Sequence, residues 1–299
     1  MASRWDAGRV TRRGRLHGIM RLLRIEHTLF SLPFAYAGAL LSEYKFSLTD
    51  AILMATAVVG LRTAGMSYNN IADLDIDRAN PRTRNRPLVL RVVSLREAWS
   101  LVIVGTLVFL ISAAMLNFYA LVFSPLILAI TLTYPYAKRI HSLPHLHLGV
   151  VLGSVVFGGA IAASGDQVSS IMQALASVPW AYVAGVTLWV AGFDILYSIM
   201  DYDFDRRMGL KSIPVLLGPR RAKTASLLTH IASACLFIYS VILYSMGAVG
   251  LIFTLAGATL LVAQHYVASN LNNLHLAFNM NLVFPVIISI GVIMDKLRL

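Results

Sequence analysis

The sequence predicts an all-α membrane protein of nine transmembrane helices with its N-terminus in the cytoplasm. Three observations carry this. The 299 residues are 58% hydrophobic and 13% charged, with a mean hydropathy of +0.71, too apolar for a soluble globular domain. Most of the chain divides into apolar runs near the roughly 20 residues that a helix needs to cross a bilayer core. The basic residues fall in alternate connections between those runs. Lipid admits only helices and closed barrels, and runs this long and this apolar are not barrel strands.

Taken in order, the predicted spans are residues 27–43, 50–70, 98–117, 118–137, 146–164, 178–201, 223–246, 247–268 and 276–295. The first contains Pro33, the fourth Pro125 and Pro135, the fifth Gly158-Gly159 and the ninth Pro285. Such residues kink membrane helices or let them approach closely, and they call for no chemistry. The second span carries a lone arginine, Arg62, and the sixth carries Asp194 seven residues before its terminal Asp201. The single Cys235 lies in the seventh, which excludes a disulfide framework or a cysteine metal site. Little sequence is left for a soluble domain. The expected organisation is a basic cytoplasmic segment, 1–26, followed by one transmembrane domain, 27–299.

A net charge of +11 and a pI near 10.0 would suit nucleic acid, but the charge distribution argues for a membrane instead. With the N-terminus inside, the cytoplasmic parts 1–26, 71–97, 138–145, 202–223 and 269–275 hold 21 of the 25 Lys and Arg residues. Lys45, Lys296 and Arg298 lie on the other side and Arg62 within a span. This is the positive-inside pattern. Residues 1–26 carry seven arginines and no apolar core of signal-peptide length. The stretch 12–25 reads either as a basic amphipathic helix on an anionic membrane surface or as a basic arm that sets topology.

Two short acidic clusters mark where apolar spans end: Asn69-x3-Asp73-x3-Asp77 and Asp201-x3-Asp205. With Asp75, Asp194 and Asp203 they hold seven of the 14 acidic residues. A four-residue spacing sets side chains about 40° apart on one helix face. Asp75 and Asp203 fall off that face; Asp194, seven residues before Asp201, extends it deeper. Four spans separate the clusters, so both return to one membrane face. Carboxylates at a helix C-terminus oppose the macrodipole and repel one another; bound cations would remove both costs. Two facing sets of hard oxygen ligands suit Mg2+ and a diphosphate, and Arg78, Arg82, Arg84, Arg86, Lys138, Arg139, Arg206, Arg207 and Lys211 supply cations on the same side. Arg62, seven residues before Asn69, points from deeper on the same face, either to hold a carboxylate or phosphate through its planar fork or to pair with Asp194. His141, His145 and His147 show no zinc-ligand pattern and read as interfacial packing.

At these residues the chain resembles the UbiA superfamily of intramembrane aromatic prenyltransferases. The resemblance runs through LLRIEHTLFSLPFAYAGALL (22–41), LRTAGMSYNNIADLDIDRANPRTRNRPL (61–88), TYPYAKRIHSLPHLHLG (133–149) and FDILYSIMDYDFDRRMGLKSIPVLLG (193–218). Within the superfamily it is most similar to the 4-hydroxybenzoate and menaquinone-type polyprenyltransferases. The resemblance implies a nine-helix bundle around a central cavity, capped by helical hairpins in two cytoplasmic loops. It implies Mg2+ held by Asn69, Asp73 and Asp77 on one side and Asp201 and Asp205 on the other. Lys138 matches a lysine that meets the diphosphate, Arg82 and Arg86 match cap-loop arginines, Tyr134 and Tyr197 lie near the reacting carbon, and Arg62 lies deep in the cavity. Asn69-Asn70 departs from the Asn-Asp or Asn-Arg of many relatives, which leaves the role of the second position open.

The implied activity is transfer of a prenyl group from a prenyl diphosphate to an aromatic acceptor such as 4-hydroxybenzoate, in quinone or lipid biosynthesis. Its expected catalytic residues are Asp73, Asp201, Lys138, Tyr134 and Tyr197; Arg62, Arg82, Arg86, Asp194 and Lys211 join Lys138 as substrate contacts. The expected location is the cytoplasmic membrane, with the site facing the cytoplasm and the tail in lipid. Geranylgeranylglyceryl-phosphate or haem O type transfer is the alternative acceptor class, and a non-catalytic transporter the alternative function. A transporter would place its charges nearer the midplane. A CDP-alcohol phosphotransferase is excluded, since its signature needs an Asp-Gly pair and this chain has none.

Overall fold

The computed structural model describes residues 12–270 and 273–298, with side chains for 14–24, 31–270 and 273–298. All regular secondary structure among them is helical. The helices are α1 (Arg12–Leu23), α2 (Ile25–Leu41), α3 (Leu48–Ala72), α4 (Leu74–Ala79), α5 (Leu95–Leu116), α6 (Phe118–Thr133), α7 (Ala137–Ile140) and α8 (Pro144–Ser164). They continue with α9 (Ile171–Ala176), α10 (Trp180–Ser198), α11 (Tyr202–Arg207), α12 (Ile213–Leu217), α13 (Pro219–Leu243), α14 (Ala248–Val267), α15 (Leu274–Met280) and α16 (Phe284–Lys296).

Local chemistry sets many of these boundaries. Ser47 and Ser94 begin α3 and α5 with reciprocal capping boxes to Asp50 and Glu97. Asn117 starts α6 by accepting from the Ala120 N–H, and its amide donates to the Ile161 and Ala162 carbonyls at the end of α8. Prolines stand in the first turn of α8, α12, α13 and α16, where no intrahelical donor is needed.

Among the described residues, eight helical stretches are long and apolar enough to cross a membrane, from Leu48–Ala72 to Leu274–Lys296. They coincide with the second to ninth predicted spans. The first, 27–43, falls on α2, which at 17 residues is shorter than these eight. Packing partners close a circuit, α3–α5–α6–α8–α10–α13–α14–α16–α2 and back to α3, with α2 also against α8. Ile103, Val104, Leu107, Ile111, Ile252 and Val262 are among the large apolar residues left on the outside, as a lipid-facing surface requires.

Two pairs of backbones approach closely through glycine. A Cβ on Gly159 would lie 1.9 Å from the Ala35 carbonyl oxygen, and one on Gly38 2.1 Å from that of Val156. This is the small-residue packing that membrane helices use in place of a hydrophobic driving force.

Three features differ from the sequence reading. The acidic stripes do not ride on continuous helices. The chain breaks at Asp73, between α3 and α4, and at Asp201, between α10 and α11. Of the two capping loops, the second contains helices α11 and α12, but the first follows α4 with turns over 81–92. Pro81 and Pro87 lack the N–H that a helix there would need. Finally, α1 is a helix docked on protein: its Leu22 is buried against Leu88, Val93 and Ala98.

Candidate active site

A cavity of about 680 Å3 opens inside the bundle. Both acidic clusters reach it. Asn69 comes from α3, Asp73 from the break and Asp77 from α4; Asp201 comes from the second break and Asp205 from α11. Arg62, Arg82, Arg86, Tyr134, Lys138, Asp194 and Tyr197 line the same cavity. Asp75 is instead solvent-facing, its side chain 95% exposed, and pairs with Arg78 at 3.1 Å. Asp203 is exposed too. Lys211 does not line the cavity: its ammonium donates to the Ile140 carbonyl at 2.8 Å, and its N–H to the Lys138 carbonyl at 2.7 Å. A carbonyl at the end of a helix has no intrahelical donor, and Lys211 fills that role for the short helix that carries Lys138.

Three of the cluster carboxylates, Asp73, Asp77 and Asp201, are each held by a cation from another segment. Asp73 accepts from Lys138 Nζ at 2.9 Å and lies 3.5 Å from Arg139. Asp77 accepts from Arg86. Asp201 accepts both Nε and Nη2 of Arg82, a two-pronged fork, and also the Asn80 amide at 3.0 Å. Arg82 further donates to the Tyr197 hydroxyl, with its guanidinium 4.8 Å from the ring centre. The loop after the first acidic cluster thus closes onto the second. Burial pushes the Asp77 carboxyl above its ordinary value, against the opposing pull of Arg86 and Thr83.

Deeper in, the walls turn aromatic. Trp189, Phe193, Tyr197 and Phe278 line the cavity with Phe34 and Tyr134. Trp189 stacks on Phe284 at 4.7 Å, and Tyr197 lies 4.1 Å from Phe278. Asn281, in the break between α15 and α16, accepts from the Trp189 indole at 3.2 Å. Such an interior accepts an apolar group and, through the ring faces, a cationic one.

Sequence reasoning missed four contributors. Asn80 had no signal beyond its place before Pro81. Arg21 and Arg24 reach the cavity from the end of α1 and the turn after it, out of a segment read as a surface helix or a topological arm. His145 is 3% exposed and bonds Asp194 at 2.6 Å, so Asp194 pairs with a histidine.

The donors are chemically suited to Mg2+: four carboxylates and an amide, all hard oxygens. Among the described residues no three acidic or histidine side chains are gathered closely enough to share one ion. That fits Mg2+ taken up together with a phosphate substrate, because this ion is ordinarily held by one or two carboxylates and completed by phosphate and water.

Comparison with known proteins finds relatives by sequence and by structure. A 4-hydroxybenzoate octaprenyltransferase of Francisella tularensis subsp. novicida is 31% identical over 201 residues, covering 67% of this chain and 68% of that protein. The apo structure of a UbiA homologue from Aeropyrum pernix K1 superposes with a TM-score of 0.88 at 63% identity, over 91% of this chain and 98% of that one. A UbiA homologue from Archaeoglobus fulgidus bound to GPP and Mg2+ shares the fold, with a TM-score of 0.64 at 21% identity over 92% and 99% of the two chains. Residues 31–283 match the UbiA prenyltransferase family, and the chain, an integral membrane prenyltransferase, belongs to that family.

Proposed function

We propose that this enzyme transfers a prenyl group from a prenyl diphosphate to an aromatic acceptor of the 4-hydroxybenzoate type, with Mg2+ as cofactor. The observation that carries this is one cavity in which two acidic clusters and their cations lie beside aromatic walls. The 4-hydroxybenzoate octaprenyltransferase relative and the homologue holding GPP and Mg2+ support the choice of acceptor, donor and metal.

Asn69, Asp73 and Asp77 on one side, and Asp201 and Asp205 on the other, would hold Mg2+. Bound there, the ion supplies electrostatic stabilisation of the negative charge that develops on a leaving diphosphate. Lys138, Arg82 and Arg86, which hold the carboxylates in this structure, would meet the diphosphate oxygens once those carboxylates held Mg2+. Each charge then keeps a partner throughout. Tyr134 and Tyr197 face the allylic carbon and stabilise its cationic character through their rings. The packed aromatic walls keep water from that carbon. Arg62 holds the acceptor carboxylate by its planar fork, which turns the ring carbon beside the hydroxyl towards the cation. Attack by that carbon and loss of its proton complete the substitution.

The loop charges orient the bundle with the N-terminus and the diphosphate end in the cytoplasm, α2 serving as a ninth, shorter span. Asp201→Ala is expected to abolish Mg2+-dependent transfer to 4-hydroxybenzoate while the bundle stays folded in detergent. Full activity in that variant overturns the assignment. A panel of acceptors, with a glyceryl-phosphate prenyl ether and haem beside 4-hydroxybenzoate, tests the acceptor class.

A further inference from the structure

Among the described residues Asp194 is the one cavity carboxylate outside the two acidic clusters, and its partner differs in kind from those of Asp73, Asp77 and Asp201. The cluster carboxylates Asp73, Asp77 and Asp201 are each met by a lysine or arginine. Asp194 is met by an imidazole: His145 Nδ1 lies 2.6 Å from its Oδ2. Among the described residues this is its single hydrogen bond. The carboxylate lines the cavity with its side chain 21% exposed, whereas His145 behind it is 3% exposed.

The other ring nitrogen fixes the proton on His145. Its Nε2 lies 3.2 Å from the Ile213 backbone N–H. A backbone N–H can only donate, so Nε2 is the acceptor and the ring proton sits on Nδ1. That proton is donated to Asp194 Oδ2. The imidazole is therefore neutral and held from behind, and it aims one oxygen of the carboxylate while Oδ1 is left to the cavity. A neutral donor orients this carboxylate, and among the described residues no lysine or arginine is paired with it.

On the reading given under Proposed function, the substitution needs a base after the new bond forms. From this geometry we infer that Asp194 accepts the ring proton of the prenylated acceptor and that His145 is the residue that positions it. As the ring C–H bond breaks, its electron pair restores aromaticity and the proton passes to Asp194 Oδ1. The Nδ1–H bond to Oδ2 persists, since the carboxylic acid keeps an acceptor there. The proton leaves to water between turnovers. His145 takes no proton, because Ile213 occupies its only lone pair. The position of Asp194 fits a base: it lies on α10, seven residues before Asp201, and lines the cavity with Trp189, Phe193 and Tyr197. A metal-bound or arginine-paired carboxylate would be a weaker base.

A purely structural His145, tying α8 to the N-terminus of α12, would give a different result from a positioning one. The test uses the full chain in detergent with a prenyl diphosphate, Mg2+ and 4-hydroxybenzoate carrying either hydrogen or deuterium at the ring positions beside the hydroxyl. In the parent enzyme ionisation is expected to limit the rate, with an isotope effect near unity. Asp194→Asn is expected to lower kcat by roughly 10²-fold and to raise the isotope effect well above unity, as proton loss becomes limiting. His145→Ala is expected to do the same more mildly. His145→Gln keeps one donor and one acceptor on a planar group and is expected to restore both rate and isotope effect. An isotope effect that stays at unity in Asp194→Asn and His145→Ala, whatever their rates, overturns the inference while the proposed function stands. No prenylated product from the parent enzyme overturns the proposed function and this role with it.

Discussion

Asp73 and Asp201 share one backbone conformation at the same kind of break. Their φ and ψ are −94° and 6°, and −100° and 3°, in the sparsely occupied region where many active-site residues sit. Each precedes a helix of six residues, α4 or α11. Each is followed two residues on by an exposed aspartate and four residues on by one facing the cavity. The two clusters are thus copies of one local structure, met by different cations. Asp73→Asn and Asp201→Asn are expected to lose about 10²-fold or more in kcat/KM, with little change in thermal stability. A variant of either that keeps parent activity in a radiolabelled-prenyl transfer assay rules out a metal role at that position.

The cations that hold these carboxylates give the site a second testable property. Mg2+ alone meets carboxylates already paired with Lys138, Arg82 and Arg86. A diphosphate alone meets cations already paired with carboxylates. Added together, each exchanges partners with no charge left alone. A prenyl thiodiphosphate, which resists ionisation, is therefore expected to raise the melting temperature strongly only with Mg2+. The gain is about 2.7 kcal/mol at a concentration 100 times Kd, and EDTA is expected to abolish it. Equal shifts from either component alone contradict the exchange.

Arg82 makes two nitrogens available to Asp201 and a third to Tyr197. A lysine ammonium is a point charge without that planar fork. Arg82→Lys is expected to keep the fold but lower kcat/KM by about 10-fold, equivalent to about 1.4 kcal/mol, chiefly through KM for the prenyl donor. Unchanged kinetics would mean that charge alone suffices at this position.

Most of this frame is legible in the chain. Spans are set by uninterrupted apolar length, and the acidic faces by a four-residue spacing that survives the helix break. What sequence did not show depends on contacts between distant segments. Arg82 and Lys211 look alike as loop cations, yet one closes on Asp201 and the other on the Ile140 carbonyl. His145 lies between two other histidines at an interface, and only the approach of α10 and α12 gives it Asp194 and Ile213 as partners. The basic stretch at 12–25 left two readings open because its buried leucine, Leu22, finds its partners 66 to 76 positions later.

That difference between cations can be measured. Arg86 meets a carboxylate that is 3% exposed in the cavity wall, whereas Lys211 caps a helix end outside it. Arg86→Ala is expected to raise KM for the prenyl diphosphate by about 10-fold or more, the scale of a charge-assisted hydrogen bond of about 1.5–3 kcal/mol. Lys211→Ala is expected to leave KM unchanged and to lower the melting temperature slightly. A large KM effect for Lys211→Ala would place it on the diphosphate after all.

The contact between α2 and α8 bears on the bundle as a whole. Gly159 leaves no room for a side chain: the obstacle is the Ala35 carbonyl, which is backbone and cannot rotate aside. Gly158, its neighbour, has open space where a Cβ would go. Gly159→Ala is therefore expected to force α2 and α8 apart and to destabilise the protein by about 1–3 kcal/mol. Gly158→Ala is expected to be neutral or slightly stabilising, since alanine is the better helix former. Thermal unfolding of the two variants in the same detergent separates them. Equal stability would mean that the close approach of these backbones contributes nothing, and that α2, shorter than the eight candidate spans, is anchored instead by its contacts with α16 and α3.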